Sequence, residues 1–339
     1  MPDLVPIFDA LQVPLGTGPV QYSAQPIPGV RRHRVAKDKS GFPALLLSVT
    51  SSTPSPVPNP VILKHLVVQH DVQCRISFRD GHSTEETFTV VRCAGSDRVL
   101  HVYFLNVMAS ILTLLGDSPS RSDVTAAVNR LVELFQALTE EPRKSLQGLW
   151  AELFLVANGS DPTTLIQAWH VNPADRYDFA LGDQRIEVKS ASRRLRQHHF
   201  SLEQLSPPPG SRVVVASVFT EPMGGGVSVM DLLTQIHRRI AGNANAALAV
   251  DRIVGATLGN GLERGNEEKF DFELAESSLQ FFDVRSIPRI DLVDVPPGVS
   301  EVRFKADLSN VAPVNEAALH AMGTLFQASC PHVATRGTP

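Results

Sequence analysis

The sequence predicts a mixed α+β or α/β chain, with a β-rich N-terminal unit followed by a core in which a mixed sheet is flanked by helices. Three observations carry this. Before residue 140, short Val-, Leu- and Thr-rich runs alternate with Gly, Pro, Asp and Ser turn signals at strand spacing. Between 145 and 240, a helical apolar stripe, a tight hairpin, a Val-rich run and a second helical stripe follow one another. The 339 residues are enough for two or three domains, and a 43% hydrophobic content supplies their cores.

In the N-terminal unit, 1–140, the stretches 41–49, 61–68, 74–78, 87–93 and 99–105 read as strands. Asp80-Gly81 and Gly95-Ser96-Asp97 mark turns, and the Ser/Pro stretch 51–60 breaks the series. A helix over 123–138 keeps Val124, Val128, Leu131, Leu134 and Phe135 at helical spacing, and Glu140, Glu141 and Pro142 end it. This unit carries no chemical motif; binding DNA, recognising a target and holding a partner subunit all remain open for it. The second region, 141–245, holds the core. The third, 246–339, is mixed: helix over 247–259, strands over 280–284 and 302–308, and a final helix over 315–328 with Leu319, Met322, Leu325 and Phe326 inward.

Composition excludes several classes. A net charge of −4 means that any affinity for nucleic acid must come from a local patch. Cys74, Cys93 and Cys330 are too widely spaced for a zinc site or a disulfide framework, which fits a reducing compartment. The first residues lack the basic-then-apolar order of a secretory signal, and no apolar run is expected to reach membrane-spanning length. A soluble cytoplasmic protein with no membrane partner is the expectation. Gly259-Asn260-Gly261 lacks the Gly-x-Gly-x-x-Gly context of a dinucleotide site, and there is neither a Walker-type lysine nor a Gly-x-Ser-x-Gly elbow.

The stretch 176–190 is the most informative. It reads as two short strands joined by Gly182-Asp183, a Gly-first pair suited to a type II′ turn. Leu181 then faces Gln184, and counting outward sets Asp178 against Glu187, with Cβ atoms about 5 Å apart. One pair further, Lys189 faces Arg176. Like charges so opposed repel, so the hairpin reads as built to hold a divalent cation. Ile186 and Val188, with Phe179 and Leu181, form an apolar face; Arg185, Glu187 and Lys189 lie on the other. The Glu-x-Lys spacing delivers a metal-binding oxygen and an ammonium into one volume. Mg²⁺ takes carboxylates, waters and phosphate oxygens, and a lysine beside it stabilises developing phosphate charge or orients water.

At Asp178 and Glu187-Val188-Lys189 the chain resembles the PD-(D/E)XK nuclease superfamily. The resemblance implies that Asp178, Glu187 and the Val188 backbone carbonyl bind Mg²⁺, with Mn²⁺ able to substitute, and that Lys189 assists hydrolysis. Ala174-Asp175 or Tyr177-Asp178 stands where the motif has Pro-Asp, and Pro173 comes a few residues early. Upstream, a helix capped by Ser145 and running through Val156 sets Leu146, Leu149, Trp150, Leu153 and Phe154 at helical spacing. Glu152 lies at the edge of that stripe. By pattern it is equally an exposed or capping glutamate; the resemblance favours a catalytic or metal-positioning one. Downstream, 212–219 is a buried strand, and Gly224-Gly225-Gly226 leads to a helix from Ser228 with Leu232, Leu233, Ile236 and Ile240 on one side. This order is that of the superfamily core, so the fold expected is restriction-endonuclease-like.

Between hairpin and strand lies a basic segment carrying Arg193, Arg194, Arg196, His198 and His199. Each arginine alone fits a solvated loop, but their clustering beside the acids points to DNA phosphate contacts. His199 either binds phosphate or packs on the sheet, and Ser190 and Ser192 are candidates for bonding the scissile phosphate. Gln204 matches the polar Gln that relatives carry after the lysine strand. The blocks 149–154, the hairpin and 198–205 also resemble a bacterial family of PD-(D/E)XK motif proteins associated with restriction and phage defence. This implies a Mg²⁺-dependent DNA endonuclease, acting alone, as a homodimer or with partner subunits of a defence system. A nuclease-fold subunit that grips DNA or a partner without cutting is the alternative; a coincidental motif in a structural hairpin is a third.

Overall fold

The structure, a computed structural model, describes residues 1–14, 22–50, 56–77, 83–170 and 175–332. They fall into two compact units, one from Met1–Glu141 and Ala241–Glu263, the other from Pro142–Ile240 and Arg264–Pro339.

The first unit opens with α1 (Leu4–Asp9) and builds one six-stranded antiparallel sheet from β1 (Tyr22–Ile27), β2 (Val30–Asp38), β3 (Pro43–Ser48), β4 (Val61–Ile62), β5 (Leu66–Ser77) and β6 (Ser83–Cys93), in the order β1-β2-β3-β6-β5-β4. The strands expected at 41–49 and 87–93 are β3 and β6. That expected at 61–68 is cut after Ile62, and 66–68 joins 74–77 in one long strand with a register shift between Gln69 and Val72. Asp71, at φ 53°, sits in that irregularity. The turn at Asp80-Gly81, Phe78 and 51–55 lie outside the described residues. β1 and β2 are additions to the expected strands; Arg31, Arg32, His33 and Arg34 hide the alternation of β2.

The expected strand at 99–105 is instead the start of α2 (Arg98–Leu115), capped by Asp97, whose Oδ1 accepts from the Val99 and Leu100 N–H at 2.7 and 3.1 Å. A short apolar run has no period of its own to separate strand from buried helix; length decides, and this run continues for 18 residues. By length and composition α2 is also apolar enough to cross a bilayer, contrary to the expectation, but 61% of it is buried inside the protein, as in a core helix. It packs on β3, α1 and α3 (Arg121–Ala137), the last opened by a Ser120/Asp123 capping box.

The second unit begins with α4 (Leu146–Asn158), whose cap Ser145 accepts from the Gly148 N–H at 3.1 Å, and α5 (Pro162–Ala168), capped by Asp161. Then come β7 (Phe179–Leu181), β8 (Gln184–Ala191), β9 (Gln197–Ser201), α6 (Leu202–Leu205), β10 (Arg212–Phe219), β11 (Pro222–Ser228) and α7 (Val229–Arg239). The chain then contributes α8 (Ala244–Leu258) to the first unit, where the Tyr103 hydroxyl donates to the Asp251 carbonyl at 2.8 Å. It returns with α9 (Arg264–Glu267), β12 (Lys269–Phe270), α10 (Phe272–Ser278), β13 (Gln280–Asp283), β14 (Arg303–Asp307), α11 (Glu316–Met322) and α12 (Thr324–Ser329). The stretch 246–339 is thus divided between units. The expected helix over 315–328 breaks at Gly323, which takes φ 143° against the Gln184 side chain. The triple glycine lies in β11, which pairs with β12; a Cβ on Gly226 would meet the Phe270 carbonyl.

The sheet of this unit has the order β13-β10-β8-β7, with β8 and β10 parallel and the outer pairs antiparallel. A mixed sheet flanked by helices is the architecture of a restriction-endonuclease-like core. α4 packs on β8 and α7, and is buried from Leu149 to Asn158. Trp150 stacks on Phe154 and gives its indole N–H to the Val227 carbonyl at 2.8 Å. A second core of Tyr177, Phe200, Leu205, Val213, Val215 and Phe282 lies with the other face of the sheet.

Candidate active site

The hairpin register is the one counted from the sequence: Leu181 pairs with Gln184 and Phe179 with Ile186. Gly182 takes φ 57° and Asp183 does not follow it into the left-handed region, the pattern of a type II′ turn. The ladder stops one pair short of Asp178. Without a ladder partner on β8, Asp178 accepts the Val188 backbone N–H on Oδ2 at 2.9 Å, so its carboxylate is pinned to the middle of the Glu-x-Lys strand. Pro173 and Ala174 lie outside the described residues. Asp175 pairs with His170 at 3.2 Å at the edge of the same cleft.

The two faces of β8 differ from the expectation. Ile186 is buried, but Glu187, on the face expected to carry chemistry, is buried too, at 5% exposure. Its strand partner across β10 is Val215, part of the second core. Burial, and then the nearby Asp178 charge, push the Glu187 carboxyl up to about 8, against the opposing pull of Lys189. Lys189 reaches Glu187 at 2.7 Å and donates to Gln204 Oε1 at 3.2 Å; Gln204 gives its Nε2 to Glu187 at 2.6 Å. Gln204 is held by a capping box with Ser201, so the start of α6 fixes both ends of the Glu187–Lys189 pair.

α4 delivers Glu152 to the same place. It is buried, accepts the Trp169 indole N–H at 2.8 Å and sits near Asp178; burial and that charge raise its pKa to about 7. The exposed-glutamate reading therefore gives way. Lys144, just before the Ser145 cap, joins the site without any sequence signal. Its ammonium bridges Glu152 Oε1 at 2.7 Å and Asp178 Oδ1 at 2.9 Å. Burial lowers its pKa, but the two carboxylates outweigh this and hold it above the ordinary value. A lone lysine beside Glu140, Glu141 and Arg143 follows no period that would mark it. Trp169, closing a seven-residue helix, is in the same position.

Lys144, Glu152, Asp178, Glu187, Lys189 and Gln204 line a cleft of about 590 Å³ that also takes in His170, Arg176 and Arg303. A neighbouring cleft of about 620 Å³ shares Asp175, Arg176, Lys189, Gln204 and Arg303 and adds His199, Phe200 and Glu203. Its floor is a two-stranded ribbon in which β9 pairs with β14. Cross-strand partners share a face, so Ser201, His199, Arg303 and Lys305 stand together on the polar side. His199, Arg303 and Lys305 are exposed, while Phe200 and Ala306 turn into the core.

The basic segment is therefore not one loop. Arg193 and Ser192 are exposed in a short turn, and Arg194 is exposed but paired with Glu221 at 2.9 Å. Arg196, expected among the DNA contacts, is half-buried and engaged within the protein. Its guanidinium donates to the Ser217 carbonyl and hydroxyl at 3.1 and 2.8 Å and to the Ser278 carbonyl, and stacks over Phe219. Those donors are spent inside the protein. His198 also turns inward, to Ser217 at 2.8 Å, and burial, with Lys189 and Arg196, lowers its pKa to about 4. Ser190 is half-buried in β8, opposite Val218.

Asp178 and Glu187 offer hard oxygen donors beside the Val188 peptide. Glu187, buried and raised in pKa, bears when ionised a negative charge that the protein alone does not fully compensate. Both features suit Mg²⁺ or a similar cation. A family model described as "Putative PD-(D/E)XK family member, (DUF4420)" matches residues 7–309. No curated protein and no solved structure matches the chain.

Proposed function

We propose that this chain, which belongs to the PD-(D/E)XK family, is a metal-dependent DNA endonuclease, with Mg²⁺ as the cation and restriction or anti-phage defence as its setting. The observation that carries the reading is the convergence of Asp178, Glu187, Lys189, Glu152 and Gln204 on one open cleft. PD-(D/E)XK nucleases usually use divalent metals. When bound, the metal would be held by Asp178, Glu187 and the Val188 carbonyl, and would supply charge to polarise a phosphodiester and activate water.

The protein's own residues do the rest. The Val188 N–H fixes the orientation of Asp178. Gln204 holds Glu187 and Lys189 together and so limits where the ammonium can point. Lys189 sets a positive charge where the phosphorane-like charge develops, and can orient the attacking water. Glu152, held by Trp169, completes the acidic wall. Arg176, Arg303 and His199 line the exposed side of the adjoining cleft, with Lys305 beside His199 on the ribbon, and these suit the phosphate backbone; Arg193 and Arg194 are further candidates. Ser190 and Ser192 are further candidates for phosphate bonding.

The test is cleavage of supercoiled plasmid with and without Mg²⁺ or Mn²⁺. Nicking that needs metal and falls at least about a hundredfold in Lys189→Ala is expected. A folded protein that binds DNA yet never cuts it would assign the chain to the non-cleaving subunit class. Cutting by Lys189→Ala at the wild-type rate would remove the role given to that lysine.

A further inference from the structure

We propose that Lys144 is a built-in counter-cation: its ammonium holds the cation position of the metal-free site and must leave before a divalent ion enters. The inference rests on the metal-site reading above and adds to it a residue outside the motif. Lys144 takes one oxygen from each of two acids, Glu152 at 2.7 Å and Asp178 at 2.9 Å. The remaining oxygens of those acids are occupied from the protein side, Asp178 Oδ2 by the Val188 N–H and Glu152 Oε2 by the Trp169 indole. The oxygens facing the cleft are thus the ones Lys144 covers. A divalent cation drawn to Asp178 Oδ1 repels the ammonium already seated there, so binding of one disfavours the other.

The position of Lys144 in the fold leaves its backbone and stem unhindered when the ammonium moves. It precedes the helix cap Ser145, so its backbone is outside the α4 hydrogen-bond ladder. Its side chain is 37% exposed, whereas those of Glu152 and Asp178 are 6% and 14% exposed, so the stem enters from the open side. Glu152 thereby anchors Lys144 in the unloaded state. The competing interpretation is a fixed strut, in which Lys144 stays in place and simply ties α4 to the hairpin.

Binding of Mn²⁺ to the full chain, followed by calorimetry or by electron paramagnetic resonance, separates the two. If the lysine closes the site nine-tenths of the time or more, Lys144→Met should bind Mn²⁺ about tenfold tighter or better. Asp178→Asn should bind it far more weakly. Unchanged or weaker binding by Lys144→Met, with Asp178→Asn still losing the ion, overturns the counter-cation role and leaves the metal site intact. Absence of Mn²⁺ binding in both wild type and Lys144→Met overturns the metal site and this proposal together. A second measurement needs no variant. Amine-reactive labelling read by mass spectrometry should modify Lys144 several-fold faster once Ca²⁺ or Mn²⁺ is added, with surface lysines such as Lys305 unchanged. Equal labelling of Lys144 with and without an ion that binds would also overturn the role.

Discussion

Glu187 is where sequence, burial and charge meet most sharply. A carboxyl pushed up to about 8 binds a proton in the folded protein that it releases when unfolded, near the ordinary glutamate value of 4.5. Since the unfolded chain binds fewer protons, stability must fall as pH rises. The contribution is fully present below about pH 4.5 and is lost as pH climbs through about 8. Glu152, raised to about 7, acts in the same direction over a narrower window. Metal-free protein should therefore melt at progressively lower temperature between pH 5 and 8, and Glu187→Gln should flatten that slope. Thermal denaturation across this range, with chelator present, checks it; a wild-type profile as flat as the variant's would mean that Glu187 is not protonated. Glu187 and Lys189 were legible in the sequence because residues two apart on a strand share a face whatever the rest of the chain does, and Asp178 by counting back from the Gly182 turn. Lys144 was not, because what gives it meaning is an encounter with Asp178 across 34 positions.

At the scale of elements, regular periods could be read and edges could not. The helix capped by Ser145, the strand Arg212–Phe219 and the helix beginning after Ser228 follow their local signals closely. The apolar run at 99–105 misled because this mostly buried start of a helix shows too little polar face to betray its period. The basic turn shows the same limit for charge. Arg196 looks like its neighbours in sequence, yet it ties the turn to β10 and to the end of α10 through Ser217 and Ser278. Arg196→Ala should consequently cost about 1–3 kcal/mol of stability, from buried acceptors left without donors, with little direct effect on DNA affinity. Denaturant melts and DNA titrations on the same variant check this. A stable variant with a large affinity loss would return Arg196 to the DNA surface.

For the whole molecule, a net charge of −4 means that the proposed binding of DNA must come from a local surface. Two exposed basic surfaces are candidates: the turn with Arg193 and Arg194, and the β9–β14 ribbon with Arg303 and Lys305. Each phosphate contact removed should lower the dependence of log affinity on log salt by about 0.9. Arg303→Ala with Lys305→Ala is expected to reduce that slope by about 2 if both residues meet phosphates. Arg193→Ala with Arg194→Ala should reduce it by less, since Arg194 must first give up Glu221. Titrations in Ca²⁺ at several salt concentrations compare the pairs directly. An unchanged slope in the ribbon variant would place DNA elsewhere.

The sequence by itself determined the local alphabet of this protein: the hairpin and its register, the acid–acid–lysine set on it, the capped helix before it and the Val-rich strand after it. Each depends on short-range geometry, on strand alternation, helix capping or turn stereochemistry, which residues carry with them. Tertiary structure alone decided which of the flanking charges face the cleft. It turned Arg196 and His198 inward, brought Arg176 and Arg303 to one rim, and set Lys144 between two carboxylates. Those outcomes follow from which elements pack together and how much water they exclude, and no local pattern encodes a partner that arrives from a distant part of the chain.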